Sequence, residues 1–328
     1  MSFDLDGFCE RYLGEWEQRS TVRRAPRSRF SAEALAGDLF PAAMAPVLHH
    51  PAVARLDADA KRLFLTCMAY DFQGGVADIE VDLVADLCGR LAGAELGIEL
   101  PRSARQVALT IGTDEFYHAY AAREFVDDVR RHTGIEPTPM QSAEEPVCLA
   151  VAYVRDTTPA ELRSLAETMA LCFAENVITE ELFGMSRDTP AGSPFHVVVR
   201  EHLVDEGRHQ TYFQTLMRHI WREVDEETRR ALGRLLPRFL DIFLCDPAFY
   251  VERQTLHLGR LGFDGETGRR IVGEAYAALM PVLPPGEPRP PKSAMKFAAL
   301  PMNLVNVAGF LDHAPTRALL VESRWLAA

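Results

Sequence analysis

The chain has 328 residues, 48% of them hydrophobic and 25% charged, with a formal net charge of −12. That balance suits a globular protein with a substantial core and speaks against a nucleic-acid partner, whose phosphates need clustered Lys and Arg. No run of about eighteen apolar residues suggests a membrane span, and the first residues lack the basic and apolar regions of a signal peptide. Six cysteines (Cys9, Cys67, Cys88, Cys148, Cys172 and Cys245) are scattered without C-x-x-C spacing. They read as free, mostly buried thiols of a cytoplasmic protein.

Taken in order, residues 1–55 read as an adapter, with a short helix from Phe8 to Trp16. The basic stretch from Ser20 to Arg29 reads as a solvated surface crossing. From Ala58 to Leu96 apolar residues recur at helical intervals, and Gly74-Gly75 is expected to kink or split that helix. Glu80 lies within its apolar stripe, beside Val76, Leu83 and Leu87. A second helix opens at Pro101 and ends before Gly134 and Pro137. Residues 133–146 read as the crossover between two halves of a bundle. Pro159, after an N-cap at Thr157-Thr158, opens a third helix to Phe183, with Glu175 among Leu171, Cys172, Ile178 and Leu182. Ser193-Pro194 opens a fourth helix, to about Trp221. A fifth spans Asp225 to Leu244, and helical patterns follow from Pro247 and Gly265. Pro281 to Pro291 is a proline-rich break, and the apolar tail beyond it is expected to pack onto the body. No alternating strand is found, so the fold class is all-α. A single domain over residues 1–328 is expected, its core about 55–260 and its C-terminal tail 281–328.

Two segments carry the chemistry. Thr113-Asp-Glu-Phe-Tyr-His118 and His202-Leu-Val-Asp-Glu-Gly-Arg-His209 each contain Asp-Glu-x-x-His. Residues three apart stand one turn apart on the same helix face, so a Glu and a His at that spacing can hold one metal ion. Two such helices, with one Glu from each of two others, build the di-metal carboxylate site of ferritin-like bundles. Glu80 and Glu175 supply the two others, and the order Glu80, Glu115/His118, Glu175, Glu206/His209 is a twofold internal repeat. The intervals, 35 residues from Glu80 to Glu115 and 31 from Glu175 to Glu206, suit antiparallel neighbours. Asp114 and Asp205 are expected to orient the ligating imidazoles, each reaching a His on the facing helix. His202, four residues before Glu206, shares its face with Glu206 and His209 and is expected to add an imidazole to the ion that His209 binds. Carboxylates with a few imidazoles suit iron or manganese. Storage sites usually have few histidines, so three imidazoles point to chemistry.

With Glu80, Glu115, His118, Glu175, His202, Glu206 and His209 in place, the chain resembles the p-aminobenzoate N-oxygenase family of ferritin-like non-haem di-iron enzymes. The resemblance rests on four glutamates, three histidines and the H-x-x-x-E-x-x-H element at His202, Glu206 and His209, and it covers roughly residues 55–260. It implies two iron ions, O₂ as co-substrate, an external reductase or other electron donor, a homodimer, and oxidation of a small-molecule amine in a secondary-metabolite pathway. Glu115 and Glu206 are expected to bridge the ions, with Glu80 and Glu175 terminal. A di-iron oxidase acting on carbon and an iron-storage protein are the alternatives. Arg200 and Arg208 are either surface residues or partners for a substrate carboxylate. Asn303 and Asn306 could approach the site, while Phe116 and Tyr117 read as core packing.

Overall fold

Residues 4–24, 26–140, 142–278, 290–295 and 298–327 are described by a computed structural model, except for the side chains of 142, 180 and 300. Every element among them is helical. The long helices start where local chemistry satisfies their first N–H groups. Asp57 accepts from Ala60 N, Ser193 from His196 N ahead of Pro194, and Asp225 from Thr228 N. Gly134, at φ 68°, ends the second long helix in the left-handed conformation that glycine adopts without strain.

In chain order, α1 (Leu5–Arg19) is followed by three single turns, α2 (Thr21–Arg24), α3 (Ala32–Leu35) and α4 (Pro51–Ala54). The bundle begins with α5 (Ala58–Ile79), which passes through a π-helical turn (Glu80–Ala85) into α6 (Asp86–Ala92). Its other long members are α7 (Arg102–Thr133), α9 (Arg163–Asp188) and α10 (Pro194–Glu223). Between α7 and α9 lies α8 (Pro146–Thr157), a helix the expected crossover did not include. Outside the bundle come α11 (Glu226–Cys245), α12 (Ala248–Arg260), α13 (Gly265–Ala277), α14 (Ala299–Val307) and α15 (Ala314–Glu322). The proline-rich break falls almost wholly outside the described residues. The tail packs on the body as expected, with Trp325 fully buried and Phe310 stacked 3.9 Å from Trp221.

Two apolar regions flank the middle of the bundle. One gathers Val84 and Leu87, Val107 and Ile111, Met169 to Ala174, and Tyr212 to Ile220. The other gathers Phe64 and Tyr70, Phe125 and Val129, Leu182 and Met185, and Phe195 to Val199. The order in which each helix crosses them sets its direction. α5 and α10 run one way, while α7 and α9 run the other. Because α7 and α9 are parallel, the chain must return across the bundle between them, which is why a long connection lies there. Each of the four helices carries its polar residues between the two regions, so the bundle has a polar layer at mid-height.

Two expectations are corrected. Gly74-Gly75 does not split α5, which runs unbroken from Ala58 to Ile79. The irregularity is instead the π turn that begins at Glu80, where the wider turn re-aims the side chains that follow. Gly75 serves a close approach, since a Cβ there would fall 2.6 Å from Glu145 Oε1, where the crossover meets α5. The third long helix starts at Arg163, after a 3₁₀ turn at Ala160–Leu162, and continues to Asp188.

Glu145 sits at that crossing, 8% exposed, with Oε1 unpartnered. Burial, reinforced by Asp78, Glu181 and Asp71, pushes its carboxyl up to about 8. A folded pKa above the unfolded one means that stability is lost as pH rises from the ordinary carboxylate range toward that value, since the unfolded chain ionises first. Glu145→Gln should therefore raise the melting temperature by about 2 °C or more at pH near 8.5 and change it little near pH 4.5. An equal change at both pH values would show that no buried proton is involved.

Candidate metal centre

The polar layer holds all seven of the acidic and imidazole side chains singled out above. They form two groups, each with ligand-type atoms within 4.8 Å of one another: Glu80, Glu115, His118, His202 and Glu206 in one, and Glu115, Glu175, Glu206 and His209 in the other. Glu115 and Glu206 belong to both. All seven are buried, His202 the least at 8% exposed.

His202 Nε2 lies 2.8 Å from Glu80 Oε1 and 3.0 Å from Glu206 Oε1. His209 Nδ1 lies 2.9 Å from Glu115 Oε1 and 3.2 Å from Glu206 Oε1. His118 turns Nδ1 to Glu115 Oε2 at 3.4 Å, and its ring is 4.2 Å from that of His202. His202 thus groups with His118 and Glu80, not with His209, which corrects the expectation that one ion takes both. The reason is length: seven residues rise about 10 Å along a helix, placing the two imidazoles on opposite sides of Glu206.

The outward nitrogens follow a crossed pattern. His118 Nε2 on α7 faces Asp205 Oδ2 on α10 at 3.0 Å, and His209 Nε2 on α10 faces Asp114 Oδ2 on α7 at 3.2 Å. Each Asp-Glu-x-x-His segment therefore lends its aspartate to the histidine of the other. A carboxylate in that position fixes tautomer and ring orientation.

Burial and mutual charge perturb these groups strongly. Burial, then the neighbouring Glu206 and Glu115, holds the Glu175 carboxyl well above the usual range. Burial would raise Glu206 too, but His209 and His202 outweigh it and hold its carboxyl well below. His202 and His209 are held well above the ordinary imidazole value by Glu80 and by Glu115 respectively, against the effect of burial. Several carboxylate oxygens, including Glu80 Oε2, Glu175 Oε2 and Glu206 Oε2, are buried without a hydrogen-bond partner. Unpartnered anionic oxygen in a dry interior costs several kcal/mol unless a cation meets it. Four glutamates against two divalent cations leave no net charge, and carboxylate with imidazole is the donor set that suits iron or manganese. The residues present fit a metal pair.

The N-terminal segment closes the layer from outside, and here the reading of Ser20 to Arg29 as a solvated crossing holds for Arg23, Arg24 and Arg29, which are exposed, but fails for Ser20, Thr21 and Arg27. Ser20 is fully buried, donating from Oγ to Asp114 Oδ1 at 2.5 Å. Trp16 Nε1 donates to Asp114 Oδ2 at 2.8 Å, and Thr21 donates to Asp205 from both N and Oγ1. Arg27 pairs with Glu124 at 2.7 Å and Asp128 at 2.8 Å. Trp16, Ser20 and Thr21 were invisible in the sequence because their partners lie about a hundred residues or more away and no spacing rule links them. Arg208 binds Asp205 beside the layer, while Arg200 is exposed, as are Asn303 and Asn306. Phe116 is 57% exposed instead of packing in the core. Tyr117 lines a cleft of about 20 Å³ with Thr21, Gln73, Val198 and Glu201, over His118 and His202.

The family model described as p-aminobenzoate N-oxygenase AurF matches residues 9–271. The chain belongs to that family. AurF proteins are ferritin-like and di-iron, and the helical bundle with its buried carboxylate and imidazole groups fits that description. The match begins in α1 and runs into α13, so it takes in the N-terminal segment that braces the two aspartates. Comparison with curated proteins gives no match. No helix among the described residues is long and apolar enough to cross a membrane.

Proposed function

We propose that the chain is a non-haem di-iron oxygenase that uses O₂ and an external electron donor to oxidise the nitrogen of a small amine, most simply an arylamine, in a secondary-metabolite pathway. The observation that carries this reading is the pair of buried groups that share Glu115 and Glu206, in a chain of the AurF family. Glu115 and Glu206 would bridge two ions. Glu80, His118 and His202 would complete one ion, and Glu175 and His209 the other. Two irons together supply the electrons that activation of O₂ requires. The protein's own part is to hold the imidazoles through Asp114 and Asp205, to keep the layer dry between two apolar regions, and to admit substrate on one side only.

That side is the cleft at His118 and His202. Its volume has room for little more than a water molecule, so an arylamine enters as Gln73 and Tyr117 swing aside. Arg208 is committed to Asp205 and Arg200 is exposed, so neither serves as an anchor for a substrate carboxylate. On the outer face of α7, Leu109, Phe116 and Tyr120 are exposed at helical spacing. We read them as the face a second copy covers in a homodimer.

The test is iron analysis of the purified protein on the species that sediments, followed by O₂ uptake with a panel of arylamines. About two irons per chain, a dimer mass and amine-dependent O₂ uptake yielding hydroxylamine, nitroso or nitro product are expected. Many irons per chain without substrate-dependent uptake would replace the reading with iron storage. Product oxidised at carbon would replace it with the carbon-directed alternative.

A further inference from the structure

The two aspartates behind the histidines share the Arg208 guanidinium, which hydrogen-bonds Asp205 and lies 3.8 Å from Asp114 Oδ2, but their other partners differ. Asp205 receives the amide and hydroxyl of Thr21. Asp114 receives the hydroxyl of Ser20 and the indole of Trp16. The indole bond ends on Asp114 Oδ2, the oxygen that also faces His209 Nε2. The other nitrogen of that imidazole faces Glu115 and Glu206 at 2.9 and 3.2 Å. A file of three hydrogen-bonded groups therefore runs from α1 to the middle of the polar layer. Its inner members, Asp114 and His209, are fully buried. Its outer member is half-buried, with Glu15, Glu17 and Arg19 exposed around it and the Arg23 guanidinium 5.3 Å from the ring centroid.

Among the N-terminal groups and the Arg208 guanidinium that touch the two aspartates, the indole alone has a π system that couples readily to a redox donor. Hydroxyls and guanidinium do not. Tyr12 stands nearby with an oxidisable ring, but it is buried and its hydroxyl bonds neither aspartate. The cleft on the His202 side is far too small to admit a flavin or an iron–sulfur cluster, so electrons from such a donor must cross protein.

We propose that Trp16, Asp114 and His209 form the electron-entry path of the centre, with Trp16 as the point where a one-electron donor of the flavin or iron–sulfur class makes contact. This rests on the di-iron reading above. Two successive one-electron transfers convert two ferric ions to two ferrous ions while the donor loses two electrons. No covalent bond forms or breaks, and the indole ends each passage unchanged. The asymmetry is part of the inference: the His118–Asp205 pair, braced by Thr21 and Arg208, has no such outlet.

The test compares wild type, Trp16→Phe, Ser20→Ala and Tyr12→Phe, each loaded with iron, for the anaerobic rate of reduction by photoreduced flavin mononucleotide. Trp16→Phe keeps an aromatic ring but loses the N–H that joins it to Asp114, and it is expected to keep about two irons while reduction slows about tenfold, the lower end of what is lost when the hydrogen-bonded file behind a ligating histidine is broken. Ser20→Ala and Tyr12→Phe should reduce near the wild-type rate. Trp16→Phe reducing as fast as wild type, or Ser20→Ala slowing as much as Trp16→Phe, would overturn the path, the latter because loosening Asp114 would then suffice. A second readout needs no iron. In the metal-free protein the Trp16 indole N–H resonance should move on Asp114→Asn, and an unmoved resonance would also overturn the proposal. Failure of wild type to bind an iron pair would instead sink the di-iron reading itself.

Discussion

Glu206→Ala is expected to lose the metal pair and, with it, all amine-dependent O₂ uptake. Glu206 stands between His202 and His209, within 3.0 and 3.2 Å of their inward nitrogens, and belongs to both groups of ligand-type atoms. In the proposed centre its removal would cost each ion a ligand at once and take away the carboxylate that spans them. Glu115 alone would remain common to both groups. The fold should survive, because the two apolar regions above and below the layer keep their packing. Glu206→Gln, which keeps the volume but removes the charge, separates loss of charge from loss of shape and should fail in the same way. Metal analysis of both variants beside wild type, with helicity followed by circular dichroism, decides the matter. Two irons retained with normal turnover would remove Glu206 from the bridging position.

The convergence of the seven side chains was legible because it depends on local periodicity and on intervals between helices. The i to i+3 spacing puts Glu115 with His118 and Glu206 with His209 on one face each. A Glu inside an apolar stripe, at 80 and at 175, signals a charge that must meet a partner. The crossed pairing of Asp114 and Asp205 followed from the same repeat, since an aspartate one residue before the Glu points away from the shared centre and toward the neighbouring helix.

What was not legible depends on contacts without a period. Ser20 to Arg29 has the composition of a solvated loop, yet Ser20, Thr21 and Arg27 all meet carboxylates on α7 and α10. Basic and hydroxyl residues look alike whether water or a buried acid receives their hydrogen bonds. The π turn at Glu80 has no residue signature, and Gly74-Gly75, which looked like the break, answers to the carboxyl of Glu145 instead. α8 received no assignment, since it lies between the crossover ending at 146 and the helix that Pro159 was expected to open, and prolines at both of its ends resemble a linker. His202 was assigned to the wrong neighbour because one helix face was treated as one ion, although two turns of helix are long enough to serve two.

His202→Ala carries the other large effect, and the corrected grouping sharpens what it should do. His202 is the one imidazole of the seven residues that both touches Glu80 and Glu206 and, with His118, lines the cleft. Replacing it leaves Glu80, Glu115, His118 and Glu206 around the same position, enough to keep two metals, though more weakly on that side. The space it vacates opens the layer toward Gln73, Tyr117 and Val198, where substrate is proposed to lie. Product formation should therefore fall far more than metal content, with O₂ uptake persisting but no longer matched by oxidised amine. The Glu175 and His209 side should be unchanged, which spectroscopy of the iron pair can report as a change confined to one ion. Crystallography of the metal-loaded wild type supplies the independent check: a His202 nitrogen within about 2.2 Å of an ion, as imidazole–metal bonds run, and that ion also bound by His118 and not by His209. A His202 ring standing about 3 Å or more from either ion would make it a packing residue beside the centre. Unchanged product and rate in the alanine variant would deny it a role in directing oxygen to nitrogen even if the bond is present.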